Sequence, residues 1–491
     1  MGIEVDRTEF SAEDYRAFGK RVRDNLYVLE RLLAKPNFGA GPTTFGAELE
    51  LYLIDNNGHP LLLNQDIQNQ LQDPQLTLEL NRYNLEYNFS PYAISDNCLA
   101  KTEAEALSVL KRINECAQQW GGSAIPVGIL PTLQAADTGY HVMTKTKRYE
   151  ALTKQLSEIR GGPFTIDIQG SEHLNHSMQD VTLEGACTSF QIHLRVAPER
   201  FADTYNALQL VTPLALALGA NSPILFGHRL WHESRIPLFK QSIDCRRPDP
   251  AHPTPARVNY GHSWLRHGAS ELFAESIYLY QPILPLISTE DPLEIYNQGG
   301  VPSLHELRLQ QGSVWLWNRP VFDPADEGHL RIEMRALPAG PTIVDMMANA
   351  ALLIGLTEMQ RIGINEKLPA IPFEYCIKNF HRAAEHGLNA ELIWPDIKQN
   401  KLTYRPVTEI LKDLLPKLSE HLTAIGFLHA DFDRLLGVID ERLQARQNGA
   451  QWQLNKLRQL EQQLSRPAAL VAMIQEYREN SAANIPVAQW K

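Results

Sequence analysis

Phe45-Gly46-Ala47-Glu48-Leu49-Glu50-Leu51-Tyr52-Leu53 is the stretch on which the fold turns. Its odd positions, from Phe45 to Leu53, are apolar, which is the period-two pattern of a strand with one face on a core. The other face then carries Glu48 and Glu50, two residues apart and on the same side of the sheet. Glutamate suits strands poorly, and like charges at neighbouring same-face positions repel. Such a pair needs either open water or a compensating cation.

Working outward, three more segments repeat the theme. After the turn Asn56-Asn57-Gly58, the segment from Asn84 to Phe89 sets Leu85, Tyr87 and Phe89 on one side and Asn84, Glu86 and Asn88 on the other. In Phe190-Gln191-Ile192-His193-Leu194-Arg195-Val196 the polar set is Gln191, His193 and Arg195; in Arg331-Ile332-Glu333-Met334-Arg335 it is Arg331, Glu333 and Arg335. Any one of these strands reads equally well as the solvated face of an antiparallel sheet. Gathered in one enclosed sheet, they put four glutamates, a histidine and several arginines on one face. Carboxylates with a single imidazole suit Mg²⁺ or Mn²⁺ better than zinc, and the arginines suit the phosphates that accompany those ions.

Helical patterns surround the strands. Ser11 to Leu33 opens with a capping-box-like Ser11-Ala12-Glu13-Asp14, and a Gly/Pro loop spans Asn37 to Thr44. Helices are expected over Thr102 to Gln119, Leu208 to Ala220 and Ile343 to Gln360, with Gln241 to Ala269 as loop. Beyond about Asn379 helices dominate, and Leu454, Leu457, Leu460 and Leu464 fall at helical spacing. The layout predicts an α+β fold: residues 1–375 as a catalytic core, with helix 11–33 as an extension, and 376–491 as a mostly helical part packed on it.

Composition narrows the function. The formal charge of 46 − 57 = −11 disfavours a nucleic-acid partner, while a local arginine or metal cluster still permits an anionic substrate. The first ten residues carry Glu4, Asp6 and Glu9 and lack the apolar core of a signal peptide. Leu208 to Phe226, the longest apolar run, is interrupted by Gln209, Pro213, Asn221 and Pro223 and reads as a buried helix, with no membrane span expected. Five scattered cysteines without a CxxC fit a reducing, cytoplasmic location, which makes the sequons at Asn88 and Asn175 chance matches. There is no GxxxxGK[ST] and no GxGxxG opening a helix. His228 with His232, and His173 with His176, fit binding loops better than a metal site.

Taken together, these segments resemble the second glutamate–cysteine ligase family, which includes bacterial carboxylate–amine ligases and plant-type glutamate–cysteine ligases. Phe45 to Glu50 is similar to its G-x-E-x-E strand, Leu85 to Asn88 to its next acidic strand, and Thr188 to His193 to its T-x-Q-V or T-x-x-H-x-H strand. Ala217 to Pro223 matches its A-x-x-A-N-S-P segment and Ser234-Arg235 its S-x-R without the spacer. Arg331 to Arg335 matches R-x-E-x-R, and Asn448 to Gln453 a Gly-Ala-x-x-Gln segment. The resemblance implies a glutamine-synthetase-like curved antiparallel sheet, flanked by helices, that cradles ATP and Mg²⁺ (or Mn²⁺).

Carried over by residue, it makes Glu48, Glu50, Glu86, His193 and Glu333 metal ligands. Arg335, with Gln191 and Arg331, would contact ATP, and Arg235 would hold a substrate carboxylate or the transferring phosphoryl group. Glu79, seven residues before Glu86, is a candidate proton acceptor for the amine; Tyr149, Thr188, Trp315 and Arg319 are candidates to line the pocket. The implied reaction joins an acid, glutamate, to an amine, cysteine first, through an acyl phosphate. Three alternatives stay open: another acid and amine pair, phosphotransfer ending at a stable phosphorylated product, or a nucleotide-binding regulator. The implied partners are small molecules, and an oligomer is compatible with the sequence.

Overall fold

The computed structural model describes residues 5, 7–247, 254–396 and 401–491. Its main sheet has eight strands: β1 (Thr44–Asp55), β2 (Leu76–Leu78), β3 (Asn84–Asn88), β4 (Tyr92–Ala93), β5 (Gly122–Ile125), β6 (Phe190–Arg195), β7 (Asn318–Asp323) and β8 (His329–Met334). The order is β7-β8-β6-β1-β3-β2, with β4 and β5 paired to opposite ends of the long β1. Every pairing is antiparallel, and the sheet curls into a half-barrel.

Register brings the four acidic segments side by side. Glu50 stands opposite Glu86, Glu48 opposite both Asn88 and Gln191, and Glu333 opposite His193 and Arg319. The solvated-face alternative is overturned: relative exposure is 0% at Glu333, 1% at Gln191, 8% at Glu86 and 9% at His193. Both faces of β6 are buried along its whole length.

Helices enclose the sheet. Helix α1 (Ala12–Leu33) starts at Ser11 with the reciprocal Ser11 and Asp14 capping box that its sequence predicts. Helix α2 (Phe201–Gly219) begins seven residues before the expected Leu208 start. Its Pro213 has no N–H to give to Gln209, four residues back. The Gln209 carbonyl accepts instead from the Tyr260 hydroxyl at 2.6 Å and the Cys376 thiol at 2.9 Å. Helix α3 (Arg235–Ser242) follows, and then α4 (Ile343–Arg361), buried on all sides from Ile343 to Met359 as its sequence without a polar face requires.

Toward the C-terminus come the helix Val407–Ala424, α5 (His429–Ala445), α6 (Gly449–Leu460) and α7 (Arg466–Ala482). A two-stranded hairpin, Glu391–Asp396 with Lys401–Pro406, precedes these helices. Two smaller expectations need correction. Helix α6 stops at Leu460, so Leu464 lies beyond it and is 40% exposed. Within the expected loop from Gln241 to Ala269, Val258–Asn259 forms a short parallel pair with Trp315–Leu316; residues 248–253 of that loop, and Glu4 and Asp6, lie outside the described residues. Among the described residues, no helix is long and apolar enough to cross a membrane. All five cysteines are unbridged.

Candidate active site

The acidic side chains of the sheet divide into two clusters. In the first, one ligand atom each from Glu48, His193 and Glu333 lies within 4.8 Å of the others; in the second the same holds for Glu50, Glu79 and Glu86. Strand geometry explains the division. Glu48 and Glu50 are two residues apart on β1, about 6–7 Å along the strand. Glu48 reaches His193 on β6 and Glu333 on β8, while Glu50 reaches Glu86 on β3 as well as Gln191 on β6.

The first cluster is compensated by cations. Arg319 Nε donates to Glu333 Oε2 at 2.6 Å, and Arg335 pairs with Glu333 Oε1. Burial works against ionising Glu333, but these two guanidinium groups hold its carboxyl well below the ordinary range. Burial also pushes Glu48 up, and the His193 imidazole beside it outweighs that and holds it at about 2. His193 Nε2 is 3.1 Å from Glu48 Oε1. Both ring nitrogens of His193 are buried without a well-formed hydrogen bond.

Among the described residues the second cluster has no direct ion pair of this kind, although Arg335 and Arg235 draw Glu50 down through space. Glu50 accepts from Ser189 N at 2.6 Å and Gln191 Nε2 at 3.0 Å. Glu86 accepts from Thr77 Oγ1 at 3.0 Å and Asn88 Nδ2 at 2.9 Å, and Glu79 from the Leu80 amide at 3.3 Å. These are neutral donors. Burial, and then the Glu86 carboxylate, push Glu50 up to about 8. Burial, with Glu86 and Glu50 adding to it, raises Glu79 well above its usual range, and burial followed by Glu48 raises Glu86. Three carboxylates that repel each other in a desolvated pocket call for a cation.

The donor set passes a chemical test for hard divalent ions. It offers five carboxylates and one buried imidazole that faces the Glu48 carboxylate at 3.1 Å without a well-formed hydrogen bond, with no thiolate among them. Glu79, expected as a proton acceptor, stands with Glu50 and Glu86 as a third carboxylate of the second cluster.

Arginines border the clusters. Arg335 also donates to Gln191 Oε1 at 2.5 Å; Glu333 and the neighbouring glutamates keep it charged despite its burial. Arg235, 2% exposed, donates to Glu233 Oε1 and to the Ala336 carbonyl, each at 3.2 Å, and its Nε has no partner. Its guanidinium carbon lies 6.0 Å from the centre of the Trp317 ring. Arg331 is one rung further along β8 and pairs with Asp323 at 3.3 Å.

The remaining expected residues are more dispersed. Tyr149 donates to the Leu78 carbonyl at 3.1 Å, next to Glu79; burial, and then Glu79, raise its hydroxyl well above the usual range. The Thr188 hydroxyl is buried and donates to the backbone carbonyls of Val127 and Gly128. Trp315 sits edge-on to Phe239 at 6.3 Å, in the short pair with Val258. His228 and His232 lie on a short strand and the following turn, not on a helix that would present both to one ion. Two acidic neighbours were missed. Glu233 holds Arg235, and Glu184 sits in a short 3₁₀ turn just before β6, with burial, only partly countered by Arg335, pushing its carboxyl up to about 7. Neither has periodicity or spacing to betray it, since both lie outside strands.

The family model described as glutamate–cysteine ligase family 2 matches residues 44–469. No curated protein matches the chain in sequence. Among solved structures, the bifunctional glutathione synthetase from Pasteurella multocida is 11% identical with a TM-score of 0.48; the match covers 94% of this chain but 55% of that one, so the chain spans about half its length. A glutamate–cysteine ligase from Francisella tularensis, solved in complex with AMP, is 12% identical with a TM-score of 0.47, over 92% of this chain and 96% of that one. With the family model covering β1 to the start of α7, the chain belongs to glutamate–cysteine ligase family 2.

Proposed function

We propose that the protein is an ATP- and Mg²⁺-dependent carboxylate–amine ligase that activates a glutamate-like acid as its acyl phosphate and transfers the acyl group to an amine, cysteine first. The observation that carries this reading is the pair of carboxylate clusters on one enclosed sheet face, one ion-paired with Arg319 and Arg335 and the other, among the described residues, hydrogen-bonded by neutral donors. Glu48, His193 and Glu333 would hold one ion, and Glu50, Glu79 and Glu86 another. When bound, such ions would neutralise triphosphate charge and hold the γ-phosphoryl group in line for attack.

The chain's own residues supply the rest. Arg335, held beside Gln191 and Glu333, is oriented to take charge that builds on phosphoryl oxygens. Arg235 has an unpartnered Nε–H suited to an anionic oxygen of the acid or of the transferring group. In the reaction, an oxygen of the substrate carboxylate attacks phosphorus, the bond to ADP breaks, and an acyl phosphate forms. The unprotonated amine then attacks the acyl carbon, phosphate leaves with the electrons of the carbon–oxygen bond, and the amine loses a proton to form the amide. Enclosure of the sheet face excludes the water that would otherwise hydrolyse the acyl phosphate.

The test is ADP release from ATP, Mg²⁺ and L-glutamate, with hydroxylamine as a small general amine and hydroxamate as the product measured. Hydroxamate should form, and Glu333→Gln should reduce it by about 100-fold or more. A folded protein that releases no ADP and forms no hydroxamate with glutamate or a panel of other acids would refute the ligase reading.

A further inference from the structure

The Asn221-Ser222-Pro223 and Gly449 to Gln453 segments lie far apart in the chain, with 232 residues from Asn221 to Gln453, yet they meet behind Arg235. Gln453 Nε2 of α6 donates to Asn221 Oδ1 at 2.9 Å, and Asn221 Nδ2 donates to the Tyr477 hydroxyl of α7 at 2.8 Å. The Tyr477 hydroxyl in turn donates to the Pro126 carbonyl at 2.9 Å, while Asn221 Nδ2 also donates to the Ala339 carbonyl at 2.8 Å. Gly449 leaves room for the contact, since a Cβ there would collide with the Asn221 side chain.

From Asn221 the chain of bonds continues to the site. The Asn221 amide donates to Glu233 Oε2 at 2.9 Å, and Ser222 Oγ donates to Glu233 Oε1 at 2.6 Å. Glu233 Oε1 then accepts from Arg235 at 3.2 Å. Asn221, Ser222, Glu233 and Arg235 are all at most 2% exposed, and the Tyr477 ring is 1% exposed. Gly128 closes the other side, where an added Cβ would lie 3.1 Å from Arg235 Cδ and 3.0 Å from Ser222 Cβ. Two hydrogen-bonded carboxylate oxygens and a close-packed stem leave the guanidinium one position.

Building on the ligase reading of the site, we infer that Gln453 and Tyr477 are positioning residues for Arg235, so that the C-terminal helices α6 and α7 set the geometry of the acid-activating centre through Asn221 and Glu233. Tyr477→Phe deletes only the hydroxyl. Its ring keeps its edge contacts with Trp490 at 5.1 Å and its tilted contact with Trp452 at 6.0 Å. At the centre of this network every polar side-chain atom of Asn221, Ser222 and Glu233 is paired, which favours one arrangement of the link to Arg235.

The experiment is a double-mutant cycle on the full chain, with Tyr477→Phe, Arg235→Lys and the double variant, read as kcat/KM for the acid in the hydroxamate assay. Tyr477→Phe should lower kcat/KM about 10-fold with little change in melting temperature, because small misplacements of a positioned group are costly to rate. In the double variant it should add less than about 2-fold to the loss already caused by Arg235→Lys. Fully multiplicative losses would overturn the inference. Hydrogen exchange over residues 221–235 gives a readout independent of turnover. It should quicken in Tyr477→Phe, and in Gln453→Leu should Tyr477→Phe fail to fold; unchanged exchange would overturn the inference. A wild type inactive with every acid would refute the ligase reading, and hydrogen exchange alone would then decide whether α6 and α7 hold Arg235.

Discussion

Removing divalent ions should make the stability of this protein fall as pH rises through the neutral range. The cause is Glu50, whose carboxyl burial and Glu86 together push from 4.5 to about 8. Between those two values the native state binds a proton that the unfolded chain has released, so unfolding free energy declines with pH. The window must be chosen with care. Burial lowers His232 to about 4 and also lowers His262, His329 and His381, which makes stability rise with pH until the unfolded imidazoles have titrated. Above pH 7 those contributions are nearly spent.

From pH 7 to 8.5, a folded pKa of about 8 for Glu50 gives a loss of roughly 1 kcal/mol. Glu79, Glu86 and Glu184 are raised as well and add in the same direction. For 491 residues unfolding together, the entropy corresponds to about 1 kcal/mol per °C. Melting temperature in EDTA should therefore drop by one to a few degrees, as an order of magnitude, across that window. Saturating Mg²⁺ should flatten the slope, because an ion held by Glu50, Glu79 and Glu86 keeps them ionised in the native state. It follows that the Mg²⁺-induced rise in melting temperature is larger at pH 8.5 than at pH 7 for the ligand-free protein. Glu50→Gln should remove its part of the slope. A flat or rising profile in EDTA, or a Mg²⁺ shift that shrinks with pH, would refute the account of the second cluster.

Two further outcomes separate structure from chemistry. Arg442→Ala removes the cation from Asp345, a fully buried carboxylate 3.0 Å away that also caps α4 through Thr342, and should destabilise the fold by about 3–5 kcal/mol in a denaturant titration while the hydroxamate activity of the remaining folded protein stays within about 2-fold of wild type. Thr188→Val should cost about 1 kcal/mol of stability with an unchanged KM for the acid, since its hydroxyl serves the Val127 and Gly128 carbonyls; a raised KM without loss of stability would instead place that hydroxyl on the substrate.

The parts of this architecture that could be read in advance are those with a period. Alternation along Phe45 to Leu53 and in the three matching segments locates β1, β3, β6 and β8, because a strand's two faces must differ when one meets a core. Which strands neighbour which is set by contacts distant in sequence, and the pairing of Glu333 with His193 spans 140 residues. The division into two clusters follows from that register and is invisible in the residue pattern, where Glu48 and Glu50 look equivalent. Glu79 illustrates the same limit. Its place seven residues before Glu86 suggested a role, but only the turn that folds β2 back on β3 sets it between Glu86 and Glu50. Glu233 carries no local signal and Gln453 is marked only by its Gly-Ala-x-x-Gln segment, since each acts through a neighbour that the sequence does not name. A motif such as Asn221-Ser222-Pro223 was therefore readable as a family mark before it was readable as a device: its asparagine links the Ala339 carbonyl, a glutamine and a tyrosine to the carboxylate that fixes Arg235.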